Sequence, residues 1–364
     1  MRDENYIRGV ESRKKSRKPF TSSVNAITLY LKARLSPFAL PMCWKRQALS
    51  IILMEMKICC AILVFISLFL LSDELSAMET IKLNVIETVR HLSEGIGQRS
   101  WRDLDKLARA AGFIEERLRS YGCVTERQGF TYRGNSYDNI ITEVKGTDPS
   151  LDDILIIGAH YDSAEGTPGA DDNASSVAGL LELARLTCKN PAKRTVRFVA
   201  FCLEEPPVFM TKHMGSYIHA ESLRDHGVKV HGMISLEMLG YYRNDKGSQY
   251  YPSSLFKLFY PNTGNFIAFV GNFSSRRFSN RVKTAFSSAS TIPVESLNGF
   301  SIIPGVDFSD HRNYWKFGYP AFMITDTAFY RNPNYHDSGD TADTLDYDRL
   351  TLLIEGLYRT IQGL

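Results

Sequence analysis

Cysteine is scarce in the part of the chain where it would count. Of the six cysteines in 364 residues, only Cys123, Cys188 and Cys202 follow residue 77. An odd, widely spaced set offers no disulfide framework, and without a C-x-x-C pair there is no thiolate zinc site. All three are expected to be small buried apolar residues. Basic excess is missing as well. Residues 1–57 carry 12 Lys plus Arg against 4 Asp plus Glu, and the remainder carries 31 against 36. The net charge of +3 therefore belongs to the N-terminal tail, and the body supports no nucleic-acid partner, which would need a basic patch. Internal repeats and low-complexity linkers are absent after residue 78.

A membrane-length apolar run is also lacking. Residues 58–71, ICCAILVFISLFLL, make a run of 14, where a spanning helix needs about 20. Lys57 precedes the run and Leu75-Ser76-Ala77 follows it, an imperfect cleavage site because Leu is not small. The expectation is a signal peptide over 56–77, starting at Met56 or Met54 and processed near Ala77. Residues 1–55 are then an upstream extension, and 78–364 form the catalytic domain. The chain is expected to be exported, with no stable membrane insertion after cleavage. A short signal anchor with a basic tail is the alternative.

What is present is an alternation of helix and strand signals. Leu104, Leu107, Ala111, Ile114 and Leu118 recur at helical spacing, and Gly122 closes that helix. Strand-like runs at 124–132 and 138–145 flank a turn at Gly134-Asn135. DILIIG, 153–158, and TVRFVAFCL, 195–203, read as strands buried on both faces. Helices near 174–188, 213–226 and 277–289, strands near 229–236 and 321–326, and a closing helix with Leu350, Leu353, Ile354, Leu357 and Ile361 on one face complete the pattern. The alternation implies one α/β domain, a largely parallel mixed sheet flanked by helices, with its site beyond the carboxyl ends of the strands.

Polar residues collect at five places, four of which follow or lie on successive predicted strands. In IIGAHYDS, His160 and Asp162 follow a buried strand two residues apart, so the carboxylate can orient the imidazole. GADDNASS, 169–176, runs into a helix, and taken alone its Asp171, Asp172 and Asn173 read as capping residues. FCLEEPP ends an apolar strand on Glu204 and Glu205. ISLEMLGY sets Glu237 in an apolar strand, where a carboxylate must be paired, protonated or metal-bound. NYHDSGDT puts Tyr335 and His336 in a polar loop. Imidazoles and carboxylates without thiolates suit catalytic zinc, and two such ions can share a carboxylate.

These ordered blocks resemble the co-catalytic di-zinc aminopeptidases, the family that also holds the glutaminyl cyclases and the glutamate carboxypeptidase and transferrin-receptor group. The resemblance spans roughly residues 85–360 and looks closest to bacterial members with the EEPP form of the glutamate pair. It implies a three-layer zinc-exopeptidase fold and two Zn2+ ions per chain. Asp172 bridges them, His160 and Glu237 complete one site, and Glu205 and His336 complete the other. Glu204 is then the general base, Asp162 the partner of His160, and Tyr335 a stabiliser of the tetrahedral oxyanion. Many members carry Asp where this chain has Glu237, which bears on how the second metal is held. Ser309-Asp310-His311 also resembles a recurring block and is assigned to structure or pocket wall. The implied partner is a peptide substrate, cleaved at its N-terminus.

Three other activities share the ligand pattern or the fold. A glutaminyl cyclase works with one zinc. A carboxypeptidase for acidic ends needs arginines in its pocket, with Arg243, Arg276, Arg277, Arg312 and Arg331 as candidates. A scaffold protein would have lost the site, whereas here every ligand position holds a competent residue. The segment between 241 and 310 is expected to shape the substrate pocket.

Overall fold

The computed structural model describes residue 54 and residues 75–364, and the latter belong to one compact unit. DILIIGAH contains the central strand, β3 (Ile154–His160), in which every residue is buried. That is what a strand covered on both faces demands, and the alternation divides its side chains. Leu155, Ile157 and Ala159 join one apolar cluster, while Ile154 and Ile156 join another on the opposite face. Parallel neighbours lie on either side, β4 (Val196–Phe201) and β5 (Val230–Glu237). β8 (Ala321–Thr325) extends the parallel block beyond β5.

Antiparallel pairings frame this block. β1 (Thr125–Tyr132) and β2 (Asn135–Val144) form a hairpin that attaches to β4. Its two-residue turn is Arg133-Gly134, both at positive φ (49° and 80°), one residue earlier than the sequence pattern placed it. Paired positive φ angles match the right-handed strand twist of such turns, and Gly134 meets that demand without steric cost. On the far side β6 (Ile267–Gly271) runs antiparallel to β8 and carries β7 (Val294–Asn298) as a parallel edge strand. The eight-stranded order is β1-β2-β4-β3-β5-β8-β6-β7.

Helices cover both faces. A helix over 75–90 (α1), α2 (Leu104–Ser120), α3 (Ser176–Lys189), α5 (Arg276–Ala289) and α7 (Tyr347–Gly363) pack on one side. Leu350, Leu353, Ile354, Leu357 and Ile361 of α7 are all buried, as their spacing requires. α4 (Gly215–Asp225) and the short α6 (His311–Lys316) cover the other side. Among the described residues no helix is long and apolar enough to cross a membrane, and the run 58–71 lies outside them.

One expectation is overturned. Cys123, just past α2, and Cys188, near the end of α3, form a disulfide with Cα atoms 5.9 Å apart. Only Cys202 is the free buried thiol expected of all three. The two helices lie side by side, which brings together cysteines 65 residues apart in sequence.

Candidate functional site

The strands deliver the polar residues to one end of the sheet. β3 ends on His160, β4 is followed two residues later by Glu204-Glu205, and β5 ends on Glu237. Because these three strands are parallel neighbours, their carboxyl ends converge. Two loops complete the group: Ala170–Ser175, ahead of α3, supplies Asp172, and the segment before α7 supplies His336.

His160 Nε2 lies 3.3 Å from Asp172 Oδ1, 3.4 Å from Glu237 Oε1 and 4.0 Å from Glu204 Oε2. His336 Nε2 lies 3.2 Å from Asp172 Oδ2 and 3.1 Å from Glu205 Oε2. The two oxygens of Asp172 thus face two different histidines. Three overlapping sets of side chains could each hold an ion, their ligand atoms within 4.8 Å of one another: His160/Asp172/Glu237, Asp172/Glu205/His336 and His160/Glu204/Glu205.

Asp162 stands behind His160, 3.4 Å from Nδ1, and does more than orient the ring. Its Oδ1 accepts the backbone N–H of Glu204 at 3.1 Å and its Oδ2 that of Glu205 at 3.0 Å. One carboxylate therefore sets the imidazole and the glutamate pair together. Glu237 is held likewise: Ser309 Oγ donates to its Oε2 at 2.7 Å and contacts Ser235 Oγ at 2.8 Å. Beyond a structural or wall role, its contact with Glu237 makes Ser309 a positioning residue.

The GADDNASS loop differs from a simple helix cap. None of Asp171, Asp172 or Asn173 caps α3. Asp171 accepts from Gly240 N at 2.9 Å and from Asn332 Nδ2 at 2.8 Å, tying the loop to its neighbours. Asp340 accepts the N–H groups of Asp171 and Asp172 at 2.8 and 3.0 Å. Gly169 starts the loop at φ 64°, where a Cβ would lie 2.4 Å from the Asp172 carbonyl oxygen, so the glycine is required.

Arg99 is the residue that sequence reasoning missed. It is completely buried, and its guanidinium donates only to backbone carbonyls: Nε to Tyr161, Nη1 to Leu92, Gly97 and Pro168, each at 2.8 Å, and Nη2 to Gly169 at 3.0 Å. Burial lowers its pKa to about 10, so it stays charged at neutral pH. A single Arg in GIGQRSW carries no pattern; only its burial shows the role.

Electrostatics favour a cation here. Burial drives the Glu204 carboxyl well above its ordinary range, and the charges of Glu237 and Glu205 add to this. Burial, with Asp172 beside it, pushes Glu205 up to about 7. Burial opposes charge on His336, yet Asp172 and Glu205 raise it to about 10. Crowded buried carboxylates that resist ionisation become stable as anions when positive charge is placed among them. Asp172 Oδ1 and Glu205 Oε1 are moreover buried without a hydrogen-bond partner among the described residues. Buried carboxylate oxygens without partners, imidazoles and no thiolate suit a hard or borderline divalent ion.

The cluster opens into a cavity of about 290 Å³. Asp172, Glu204, Glu205, Glu237, Tyr335 and His336 line its inner part, with His160 and Asp162 beneath. The Tyr335 ring stacks on His336 at 3.9 Å between centroids. The segment 249–308 builds much of the wall, chiefly through aromatic and aliphatic side chains. Among the described residues no Lys or Arg lines the cavity, the five candidate arginines included.

The profile of Peptidase family M28 matches residues 139–360, which includes every cluster residue. The chain belongs to peptidase family M28. This M28 peptidase is 46% identical over 279 residues to YfbL of Escherichia coli (strain K12), described as an uncharacterized protein, across 74% of this chain and 84% of that one. Its fold matches a zinc aminopeptidase from Bacillus subtilis (TM-score 0.60, 15% identity, 78% of this chain and 96% of that one). A Bacteroides thetaiotaomicron glutaminyl cyclase bound to N-acetylhistamine matches as well (TM-score 0.59, 17% identity, 78% and 98%). The M28 chain spans about half the length, 54%, of a probable leucine aminopeptidase of Trichophyton verrucosum (strain HKI 0517), with 26% identity over 58% of its own. These likenesses place the protein among metallopeptidases with an α/β fold.

Proposed function

We propose that the protein is a zinc-dependent aminopeptidase acting on the N-terminal residue of peptides, with residues 78–364 as its catalytic domain. One observation carries this: two three-residue ligand sets share Asp172 at the inner end of a single cavity that Glu204 also lines. His160, Asp172 and Glu237 would hold one Zn2+, and Asp172, Glu205 and His336 the other. Bound there, the ions would supply Lewis-acid polarisation of the scissile carbonyl and acidify a water.

The chain's own residues divide the remaining work. Glu204, buried in the cluster yet facing the cavity, accepts a proton from the attacking water and passes it to the leaving amine. Burial raises its proton affinity, as a general base requires. Asp162 keeps His160 in one tautomer and holds the Glu204 backbone in place. Tyr335, which lines the same cavity, donates to the developing oxyanion. A cavity with carboxylates and no Lys or Arg receives a free α-ammonium group and disfavours a substrate carboxylate, which argues against a carboxypeptidase for acidic ends.

The match to a glutaminyl cyclase supports a second reading, a glutaminyl-peptide cyclotransferase with one zinc. For location, the apolar run 58–71 and the Cys123–Cys188 disulfide support export to an oxidising compartment.

Elemental analysis and aminoacyl-anilide assays on residues 78–364 test the proposal. Two zincs per chain and hydrolysis are expected. Glu204→Gln should keep the metal and lower kcat by about 10²–10⁴-fold. A variant retaining most of its activity would remove Glu204 from the base role. One zinc after loading, with cyclisation of N-terminal Gln peptides, would establish the second reading.

A further inference from the structure

The cavity runs well past the ligand cluster. Its floor is the sheet itself, and strand register shows where it leads. Glu237 on β5 pairs with Thr325 on β8, Thr325 with Ala268 on β6, and Ala268 with Glu295 on β7. All four line the cavity. They form one row across four strands, a carboxylate at each end and two small residues between. Three strand spacings separate the ends by about 14 Å. The next row, Met323, Val270 and Leu297, is apolar and faces the same space.

Aromatic side chains wall this trough. Tyr251 stacks on Phe256 and Tyr260, with centroids 6.2 and 5.9 Å away. Tyr260 is anchored by its hydroxyl, which donates to the Ser296 carbonyl at 2.9 Å. Glu295 is half-buried at the distal end, with no hydrogen bond or ion pair within the described protein. Lys283 does reach this strand, but it donates to Ser296, whose side chain lies on the opposite face.

A negative charge unpaired at the end of an apolar, aromatic-walled trough is uncompensated until a cation arrives. Zinc bound at the cluster does not reach it, three strands away. We propose that Glu295 is a specificity residue and that the trough takes a long basic side chain, lysine or arginine, from the substrate's N-terminal residue. The inference rests on the aminopeptidase reading. The alkyl stem would lie along Thr325 and Ala268, and the ammonium or guanidinium group would meet Glu295 beside Tyr251 and Tyr260. Such a stem spans about 6–7 Å from Cα and a glutamate side chain about 4 Å, by ordinary bond lengths. The remaining few ångströms match a scissile group set over the cluster. Aromatic faces add attraction for the cation.

The test compares kcat/KM for lysyl, arginyl, norleucyl and leucyl anilides on the zinc-loaded protein. Norleucine has the four-carbon stem of lysine without its ammonium group. The lysyl-to-norleucyl ratio should exceed 1, fall by about 10–100-fold in Glu295→Gln, as loss of a charge-assisted hydrogen bond implies, and fall further in Glu295→Lys. Norleucyl and leucyl substrates cleaved as well as lysyl, with a ratio indifferent to both variants, would overturn the inference and leave the aminopeptidase standing. Failure on every aminoacyl substrate would remove both.

Discussion

The Nε of Arg99 lies 2.8 Å from the carbonyl oxygen of Tyr161, the residue between His160 and Asp162. The same guanidinium reaches Gly169, at the start of the loop that carries Asp172. One buried cation thus fixes the spacing of two ligand-bearing segments, the end of β3 and the loop that follows it. Charge and geometry both matter, because the planar fork serves carbonyls in several directions.

Removing Arg99 should therefore cost both stability and metal. Arg99→Met leaves five carbonyl acceptors without their donor and should destabilise by about 3–5 kcal/mol, in the range for breaking a buried charged network. Arg99→Lys keeps the charge without the fork and should fall between. Urea denaturation and zinc dissociation constants check this. Zinc affinity equal to the parent protein in Arg99→Met would show that the two segments hold their positions alone.

The Cys123–Cys188 bond closes a loop of 65 residues between α2 and α3. By chain entropy such a closure is worth about 4 kcal/mol. Replacing both cysteines with serine should lower unfolding stability by up to that amount and leave metal content unchanged, since neither cysteine belongs to the cluster. Denaturation curves with and without reductant measure it; identical curves would mean that the crosslink adds nothing.

Acid should weaken the fold through His219. This side chain is buried, its Nδ1 2.6 Å from the Tyr314 hydroxyl, and burial lowers its pKa to about 3. A histidine held neutral in the folded state binds its proton only on unfolding. Its contribution is intact above the ordinary value near 6.5 and declines as pH falls toward 3, by up to about 1.4 kcal/mol per pH unit. The stability difference between the parent protein and His219→Gln should shift in the variant's favour between pH 6.5 and 4.5. A difference constant across that range would place the imidazole in a wetter environment.

Much of this architecture is legible in the sequence for a physical reason. Strands covered on both faces must be continuously apolar, so DILIIG and TVRFVAFCL stand out, and helices with one buried face show their period. Three of the five polar blocks are visible because they end or follow such strands, and GADDNASS because it runs into a helix. β7 escapes because VESLN on the edge is only half-buried and reads as polar, and β6, IAFVG, is a five-residue apolar run that shows no period of its own. The disulfide depends on two helix ends meeting in space, which no local spacing records. Arg99 and Ser309 act through burial and through one oxygen or carbonyl at a time, and such contacts leave no periodic trace.

The order of the strands separates two kinds of work. The cluster hangs on β4, β3 and β5, each clamped between two neighbours, whereas the trough ends on β7, which has a neighbour on one side only. A change at Glu295 or Leu297 disturbs a border, and a change at His160 disturbs the centre. Descent can therefore revise what this enzyme chooses to cut without rewriting how it cuts, and homologous chains are expected to diverge first along that border.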